Sequence, residues 1–547
     1  MARRGWPCVS RATVVVILEH GSWSGAVWSS VSSSQRILSL WLKRLSTDRI
    51  AQQWREARRP SSPLVVFGKR NNLDLLVAVN AAAERLGLRS GLALAQARAM
   101  HPALIALPED PTADTRVLEA FADWCGRYTP LVATDRSDGI LLDISGCAHL
   151  FGNEQKLRDD LLTRTTGFGF SARAAIASTI GAAWAAAHFD DIAIMPLGGE
   201  RELLAPLPLA ALRLPQETVA GLARVGLKRI GDIIDLPRPP LAARFGADLL
   251  RQLDRALGRE YEPLSPRLPV APYIAEKSFP DPIAREQDVL ATIERLAAQL
   301  KLALAARGDG ARSLELVLFR TDGAVKRISV GTSCPLRDPE AIRTLFVERL
   351  AALGDEMDPG FGFDLARLSA VVAEPCPDEQ IGFGASENRV ELDHLIDRLS
   401  ARLGRSRVTR LLAQDSHTPE LASTTVPAQK GVDLGWDAFR RFRSDVGLSA
   451  RPLRLLPKPE PIHDVLALVP DGPPMRFRWR RAWHDVIAVE GPERIEGVWW
   501  SEESGGPTRD YFRVEDRTGL RFWLFRAGLY HEITLPPPRW FLHGTYA

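Results

Sequence analysis

The sequence predicts a multidomain α/β protein that ends in an aromatic-rich β region. Three observations predict it. Short apolar runs alternate with helix-like segments as far as about residue 200, the pattern of an α/β domain. The chain has 547 residues, 45% hydrophobic and 25% charged, enough for three or four cores at about 150 residues per domain. Six of the fourteen tryptophans lie after residue 470, which reads as folded β structure rather than a solvated tail. The same composition excludes collagen, a wholly disordered chain and a polytopic membrane protein.

The elements follow in order. Arg3 and Arg4 precede the apolar run Ala12–Leu18, which loosely imitates a signal peptide. The run is short and no small-residue cleavage site follows before Ser29–Ser34, so residues 1–35 are expected to be a flexible extension or a mis-chosen start. No segment has the about 18 apolar residues a membrane span needs. Strands are expected at Ile37–Leu42, at Pro63–Phe67 and at Leu76–Asn80, the last running into a helix closed by Gly87. Gly139–Ile144 reads as a strand, with Asp143 supporting the turn at Ser145-Gly146. Ala172–Phe189 passes from strand into helix.

From Leu203 to Gly258 short helices are punctuated by Gly and Pro. A hairpin is expected around Thr321-Asp-Gly323, joining Leu314–Phe319 to Lys326–Val330. Two prolines in Glu374–Pro377 place a boundary there, and a helix is expected over Val390–Leu403. Tyr511–Val514 and Arg521–Phe525 read as paired strands.

Five scattered cysteines without a CxxC pair argue against a disulfide framework or a cysteine-rich zinc module, and favour a reducing cytoplasm. His417 has no second His at helical spacing. No GxxxxGK[ST] loop is present, so ATP hydrolysis is not supported. No cofactor is expected. The small net charge of +3, from 70 Lys+Arg against 67 Asp+Glu, leaves room for local basic surfaces.

Several stretches together resemble a Y-family (translesion) DNA polymerase, and within it the ImuB-type branch of bacterial mutagenesis proteins. They are Arg36–Leu45, Ala83–Leu92, Asp138–Gly146 with His149-Leu-Phe-Gly152, and Val225–Ile234. The similarity covers about residues 36–375. Asp415–Glu420, Arg451–Pro461 and Thr508–Arg513 resemble the ImuB-type C-terminal extension. The resemblance implies a palm over 36–200 with fingers inserted at about 47–104. A helix-hairpin-helix thumb at 201–265 and a little-finger-like domain at 270–375 follow. It then implies a clamp-peptide linker and basic, Pro-containing connector at 376–470, and a partner-binding region at 471–547.

Such polymerases use two divalent cations about 3.5–4 Å apart, and magnesium requires hard oxygen ligands. The family supplies an Asp-x-Asp on the first strand and an Asp-Glu pair at the palm turn. By the resemblance, Trp41 and Lys43 stand at the first pair; a register one residue later gives Leu42 and Arg44, with the same consequence. At the palm turn Asp138 survives but Gly139 replaces the Glu. A cation at 43 or 44 repels a metal, and one carboxylate cannot hold two. The family's fingers Tyr and Arg correspond to Ala81 and Glu84, and its Lys-bearing palm helix to Gly181–Ala187, which has no cation. The expectation is a polymerase-shaped protein without polymerase activity. Asp138 is then a turn residue, and Asp48 a helix N-cap.

In the thumb, Gly226, Lys228, Arg229 and Gly231 fit a hairpin whose amides and cations hold DNA phosphates. Lys326 and Arg327 are further DNA candidates in the little-finger-like domain. Gln380, Ile381 and Phe383 resemble a sliding-clamp peptide, although Gly384 stands where a second large apolar residue is expected. Arg402, Arg405, Arg407, Arg410, Arg440, Arg441 and Arg443 could bind DNA or form a solvated face. The resemblance implies as partners DNA, the beta sliding clamp, a RecA-like ImuA-type protein and an error-prone C-family DNA polymerase. The resulting expectation is a noncatalytic adaptor in damage-induced (SOS) translesion synthesis. The alternatives are an active Y-family polymerase with divergent metal ligands, or a helix-hairpin-helix repair factor without a clamp role.

Overall fold

The computed structural model describes residues 15–18, 35–54, 62–70, 72–190, 192–376, 387–414, 416–429, 451–452, 454–468, 472–497, 507–529 and 538–546. They fall into two compact units, one ending at Arg402 and one beginning at Leu403.

In the first unit, β1 (Val15–Leu18) lies inside the stretch expected to be a flexible extension. It pairs in parallel with a later strand, Val15 opposite Tyr273, so these four residues are strand. Next comes β2 (Ile37–Trp41), whose Ile37, Leu38 and Leu40 are fully buried. The chain turns at once into α1 (Leu45–Gln53), with Arg44 at the cap position. Asp48 is therefore not the N-cap expected of it. It lies within the first turn, and its carboxylate accepts the Ser171 amide at 2.7 Å.

Then β3 (Leu64–Arg70), β4 (Leu73–Val79), α2 (Ala81–Arg85), α3 (Leu94–Met100) and β5 (Ile105–Pro108) build a small sheet of order β4-β3-β5. Asn80 starts α2 because its side chain accepts the Ala83 amide at 2.8 Å. The chain returns through α4 (Pro111–Cys125) to β6 (Val132–Asp135), β7 (Gly139–Asp143), α5 (Glu154–Gly167), β8 (Arg173–Ala177) and α6 (Ile180–Phe189). These strands and β2 form a sheet of order β6-β7-β2-β8. As the sequence predicts, Asp143 braces the turn, accepting the Ser145 amide at 3.0 Å.

Every residue from Ile180 to Ala187 is buried. Small side chains make that packing possible: a Cβ on Gly181 would sit 2.9 Å from the Ala256 Cα. Ala256 belongs to a run of helices, α7 (Glu200–Leu204), α8 (Gln216–Arg224), α9 (Gly231–Ile234), α10 (Arg238–Phe245) and α11 (Ala247–Ala256).

The following order is β9 (Tyr273–Ile283), α12 (Glu286–Arg307), β10 (Asp309–Arg320), β11 (Val325–Leu336), α13 (Pro339–Leu353) and β12 (Phe363–Pro375). The sheet runs β1-β9-β12-β10-β11, and the predicted hairpin is β10–β11, with Leu318 opposite Lys326. Ile293, Leu296 and Leu300 of α12 and Phe346 of α13 share a core with these strands. Asp364 at the start of β12 accepts Arg127 and Arg164 at 3.0 and 2.9 Å, tying this sheet to the preceding α/β layer. The predicted helix is α14 (Glu387–Leu403).

The second unit has β13 (Thr409–Ala413) paired with β14 (Ser423–Pro427). Then come β15 (Arg454–Pro461), β16 (His463–Ala467), β17 (Pro474–Trp479), β18 (Ala482–Ile495), β19 (Arg509–Asp516), β20 (Arg521–Ala527) and β21 (Arg539–Thr545). They form one sheet of order β15-β21-β20-β19-β18-β17-β16. The aromatic run at 521–525 has a reason: both faces of β20 are buried. Phe522 and Leu524 join one cluster with Phe512 and Trp540, while Trp523 and Phe525 join another with Tyr511 and Ile495. The three stretches read as extension motifs also meet here. Arg509 pairs with Glu420 at 2.6 Å, and Arg451 lies over the Trp523 ring.

Candidate active-site cleft and nucleic-acid contacts

The end of β2, the β6–β7 turn and α2 surround a cleft of about 510 Å³ lined by Trp41, Lys43, Arg44, Glu84 and Asp138, among others. Antiparallel pairing sets Trp41 opposite Gly139, so the sheet register brings together three of the four positions that the resemblance singles out. The Trp41 indole N–H donates to Asp138 Oδ2 at 2.9 Å, and the Leu42 amide donates to the Asp138 carbonyl at 2.8 Å. Below it, Trp41 stacks on His188 at 4.2 Å, and His188 on Trp184 at 4.0 Å. Arg136 covers the Trp184 ring at 5.0 Å.

Lys43 leaves this group. It turns to α2, where Lys43 Nζ lies 3.0 Å from Glu84 and Arg44 also binds that carboxylate. Hydrogen bonds from Arg44 and then Lys43 hold the Glu84 carboxyl below the usual carboxylate range. Relative to the pattern that the resemblance implies, the signs are exchanged: cations stand in the turn after β2, a carboxylate on α2. Glu109 receives both guanidinium nitrogens of Arg70 at 2.7 and 2.9 Å, and Asp114 receives Ser46 and Arg49, both at 2.6 Å. All four carboxylates lining the cleft, Glu84, Glu109, Asp114 and Asp138, therefore take protein donors. No group of three or more His, Cys, Asp or Glu side chains poised to hold a metal occurs among the described residues.

Gly139 is fixed by space. A Cβ there would lie 2.9 Å from the Asp135 carbonyl oxygen. His188 and Trp184 were not singled out by the sequence. Their i, i+4 spacing on a helix was the available signal. Burial pushes the His188 imidazole down to about 4, against the Trp184 carbonyl hydrogen bond that favours the charged ring. The ring is thus neutral at pH 7.

Burial also raises the Asp138 carboxyl, with Asp135 adding to the effect and the Trp41 hydrogen bond opposing it. A raised carboxyl means that ionisation weakens the fold as pH rises past the ordinary 3.8. Asp138→Asn keeps an acceptor for Trp41 and removes that penalty. Its melting temperature should exceed that of the wild type at pH 7, and the difference should vanish near pH 3. Asp138→Ala strands the indole N–H and should cost about 1–2 kcal/mol.

The nucleic-acid candidates divide. Gly226 has φ +87° and ends α8, and Lys228 and Arg229 are exposed. The amides around them do not point at solvent acceptors. Those of Lys228 and Arg229 both donate to Asp232 Oδ2 at 2.8 Å, and that of Gly231 donates to the Ala205 carbonyl at 2.8 Å. The hairpin therefore presents cationic side chains rather than the expected open amides. Asp232, in the first turn of α9, thus takes up the amides that precede the helix.

On β11, Lys326 Nζ donates to the Glu356 carbonyl at 2.8 Å. Arg327 pairs with Glu315 and Asp123, at 2.9 and 3.1 Å, and so links the sheet to α4. Gln380, Ile381 and Phe383 lie outside the described residues.

Comparisons with known proteins agree on the family. The sequence profile of the impB/mucB/samB family matches residues 47–188, and that of the family's C-terminal domain matches 272–382. Protein ImuB of Caulobacter vibrioides (strain NA1000 / CB15N) is 40% identical over 472 residues, covering 84% of this chain and all of that protein. A DNA polymerase IV of Dehalococcoides mccartyi (strain CBDB1) is 23% identical over 368 residues, covering 64% of this chain and 92% of its own. The crystal structure of DinB from Sulfolobus solfataricus covers 62% of this chain and 99% of its own, at 12% identity and a TM-score of 0.35.

Proposed function

Because this chain belongs to the ImuB family of Y-family polymerase homologues, we propose that it is a noncatalytic adaptor for translesion synthesis. It holds primer–template DNA and the sliding clamp while a separate error-prone polymerase copies past damage. One observation carries the noncatalytic part. At the place where the resemblance implies four carboxylates, an indole hydrogen-bonds the single Asp138, and Lys43 and Arg44 share Glu84. Two-metal phosphoryl transfer needs oxygen ligands that are free to bridge both cations. Here each acid in the cleft would first have to release a protein donor.

The adaptor part rests on family membership and on the exposed cations of the thumb-like turn. Lys228 and Arg229 contribute phosphate contacts that position without reading sequence. The peptide at Gln380–Phe383 docks in the clamp, and the second unit engages the ImuA-type protein and the C-family polymerase. Joining modest contacts on one chain raises the local concentration of the true polymerase at the lesion. The test is capture of the full-length chain by immobilised clamp. Gln380→Ala with Phe383→Ala should abolish capture and leave primer–template binding intact; unchanged capture moves the clamp site elsewhere.

A further inference from the structure

The β17–β18 hairpin contains Arg476-Phe-Arg-Trp-Arg-Arg-Ala-Trp483, with four guanidiniums in eight residues. Trp479 pairs with Ala482, so Arg480 and Arg481 are the two central residues of the turn. Both have positive φ, 46° and 72°. Two-residue hairpin turns with both centres at positive φ are the place for Asn-Gly, because a Cβ is strained there. Two arginines are the wrong residues for the turn's own stability, and backbone strain of this kind clusters where a side chain is needed for something else.

The neighbouring strand surface says what that is. Phe477 points into the buried core, so alternation sends Arg476 and Arg478 to the opposite face, beside Trp483, which is 49% exposed. Arg476 lies over the Trp483 ring at 4.3 Å and Arg478 at 5.9 Å; Arg480 lies over Trp479 at 4.6 Å. Ile487, on the same face of β18, is 59% exposed. Three of the arginines have acidic neighbours, Arg476 with Asp485, Arg478 with Asp464 and Arg480 with Glu460. The first two are half-exposed surface pairs of the kind that contribute little, whereas Arg480 holds Glu460 through two nitrogens, at 3.0 and 2.6 Å, a pair that a phosphate would have to displace.

A row of cations around a solvent-facing indole matches a strand that alternates phosphates with free aromatic faces. We propose that this hairpin is a second nucleic-acid contact, binding single-stranded DNA through phosphates at Arg476, Arg478, Arg480 and Arg481 and one base on Trp483. The proposal deepens the adaptor reading but stands on different residues from the thumb-like turn. Single-stranded rather than duplex DNA is the occupant because the base faces must be open to stack.

The test uses the full-length chain and fluorescein-labelled oligo-dT of 30 nucleotides, read by anisotropy across a salt series. Arg480→Asn with Arg481→Gly installs the residues the turn prefers, so this variant folds with an equal or higher melting temperature. It should bind oligo-dT about tenfold more weakly, and its log–log salt slope should shrink by about 1.4, the value for two lost phosphate contacts on single strands. Trp483→Thr should weaken oligo-dT binding while leaving duplex binding unchanged. Unaltered affinity and slope in the double variant overturn the proposal. So does displacement of oligo-dT by polyglutamate as readily as by unlabelled DNA, which would mark a surface for acidic protein. Loss of binding in Lys228→Ala with Arg229→Ala alone overturns this inference and leaves the adaptor reading standing. A wild-type chain that binds neither single-stranded nor primer–template DNA overturns both.

Discussion

Trp41→Asp combined with Gly139→Glu, which restores two family carboxylates, should yield a protein about 4 kcal/mol less stable that still extends no primer. Removing the indole empties the stack on His188 and Trp184, and losses of large aromatic side chains from packed sites run to about 3 kcal/mol or more. The carboxylate introduced in place of Trp41 would face Asp138 without the N–H that now satisfies it, so two carboxylates would compete in a half-buried site. At 139 even the first side-chain atom meets backbone, 2.9 Å from the Asp135 oxygen. Overpacking of this kind costs about 1–3 kcal/mol. Urea unfolding measures the loss; a change below about 1 kcal/mol would mean the cleft tolerates carboxylates and is not built around the indole.

Asp510→Ala should destabilise the second unit strongly, at about 3–5 kcal/mol, because it removes the carboxylate from a buried ion pair. Asp510 and Arg526 are both essentially inaccessible and meet at 2.6 Å, with Arg494 on the other carboxylate oxygen at 2.7 Å. Burial alone would raise the Asp510 carboxyl, yet the hydrogen bonds and charges of Arg494 and Arg526 hold it below the usual range. A depressed carboxyl contributes stability that is complete above its unfolded value and is lost as pH falls through the folded one. Acid should therefore loosen the wild-type unit late. In Asp510→Ala the unit should already be open at pH 7, read as fast amide exchange in β19 and β20. Slow exchange there would contradict the assignment.

The fold was legible where one physical signal acted alone. The apolar run at Ile37–Trp41, the Asp-Gly turn between β10 and β11 and the aromatic runs of β19 and β20 all appear where apolar runs and turn chemistry place them. Asp48 was misread because the N-cap pattern is local, while its carboxylate serves a distant amide at Ser171. The cleft was legible in its missing acids but not in its repair. That Glu84 answers Lys43 and Arg44 requires knowing that α2 folds over the end of β2, a contact spanning about forty residues. The ion pairs of Arg327 and the bonding of the amides near Lys228 stay hidden for a related reason. Sequence shows a cation or a glycine, but only the fold shows that Asp123 or Asp232 has already taken the hydrogen bond.

The most direct test of the account is primer extension by the purified full-length chain with magnesium and all four dNTPs, run beside a binding assay on the same primer–template. The account predicts binding that weakens with salt and no nucleotide incorporation at any enzyme concentration. Extension that proceeds with the wild type and disappears in Asp138→Ala would contradict it. That result would show that Asp138 leaves Trp41 to hold a metal, and that the cleft is an active site after all.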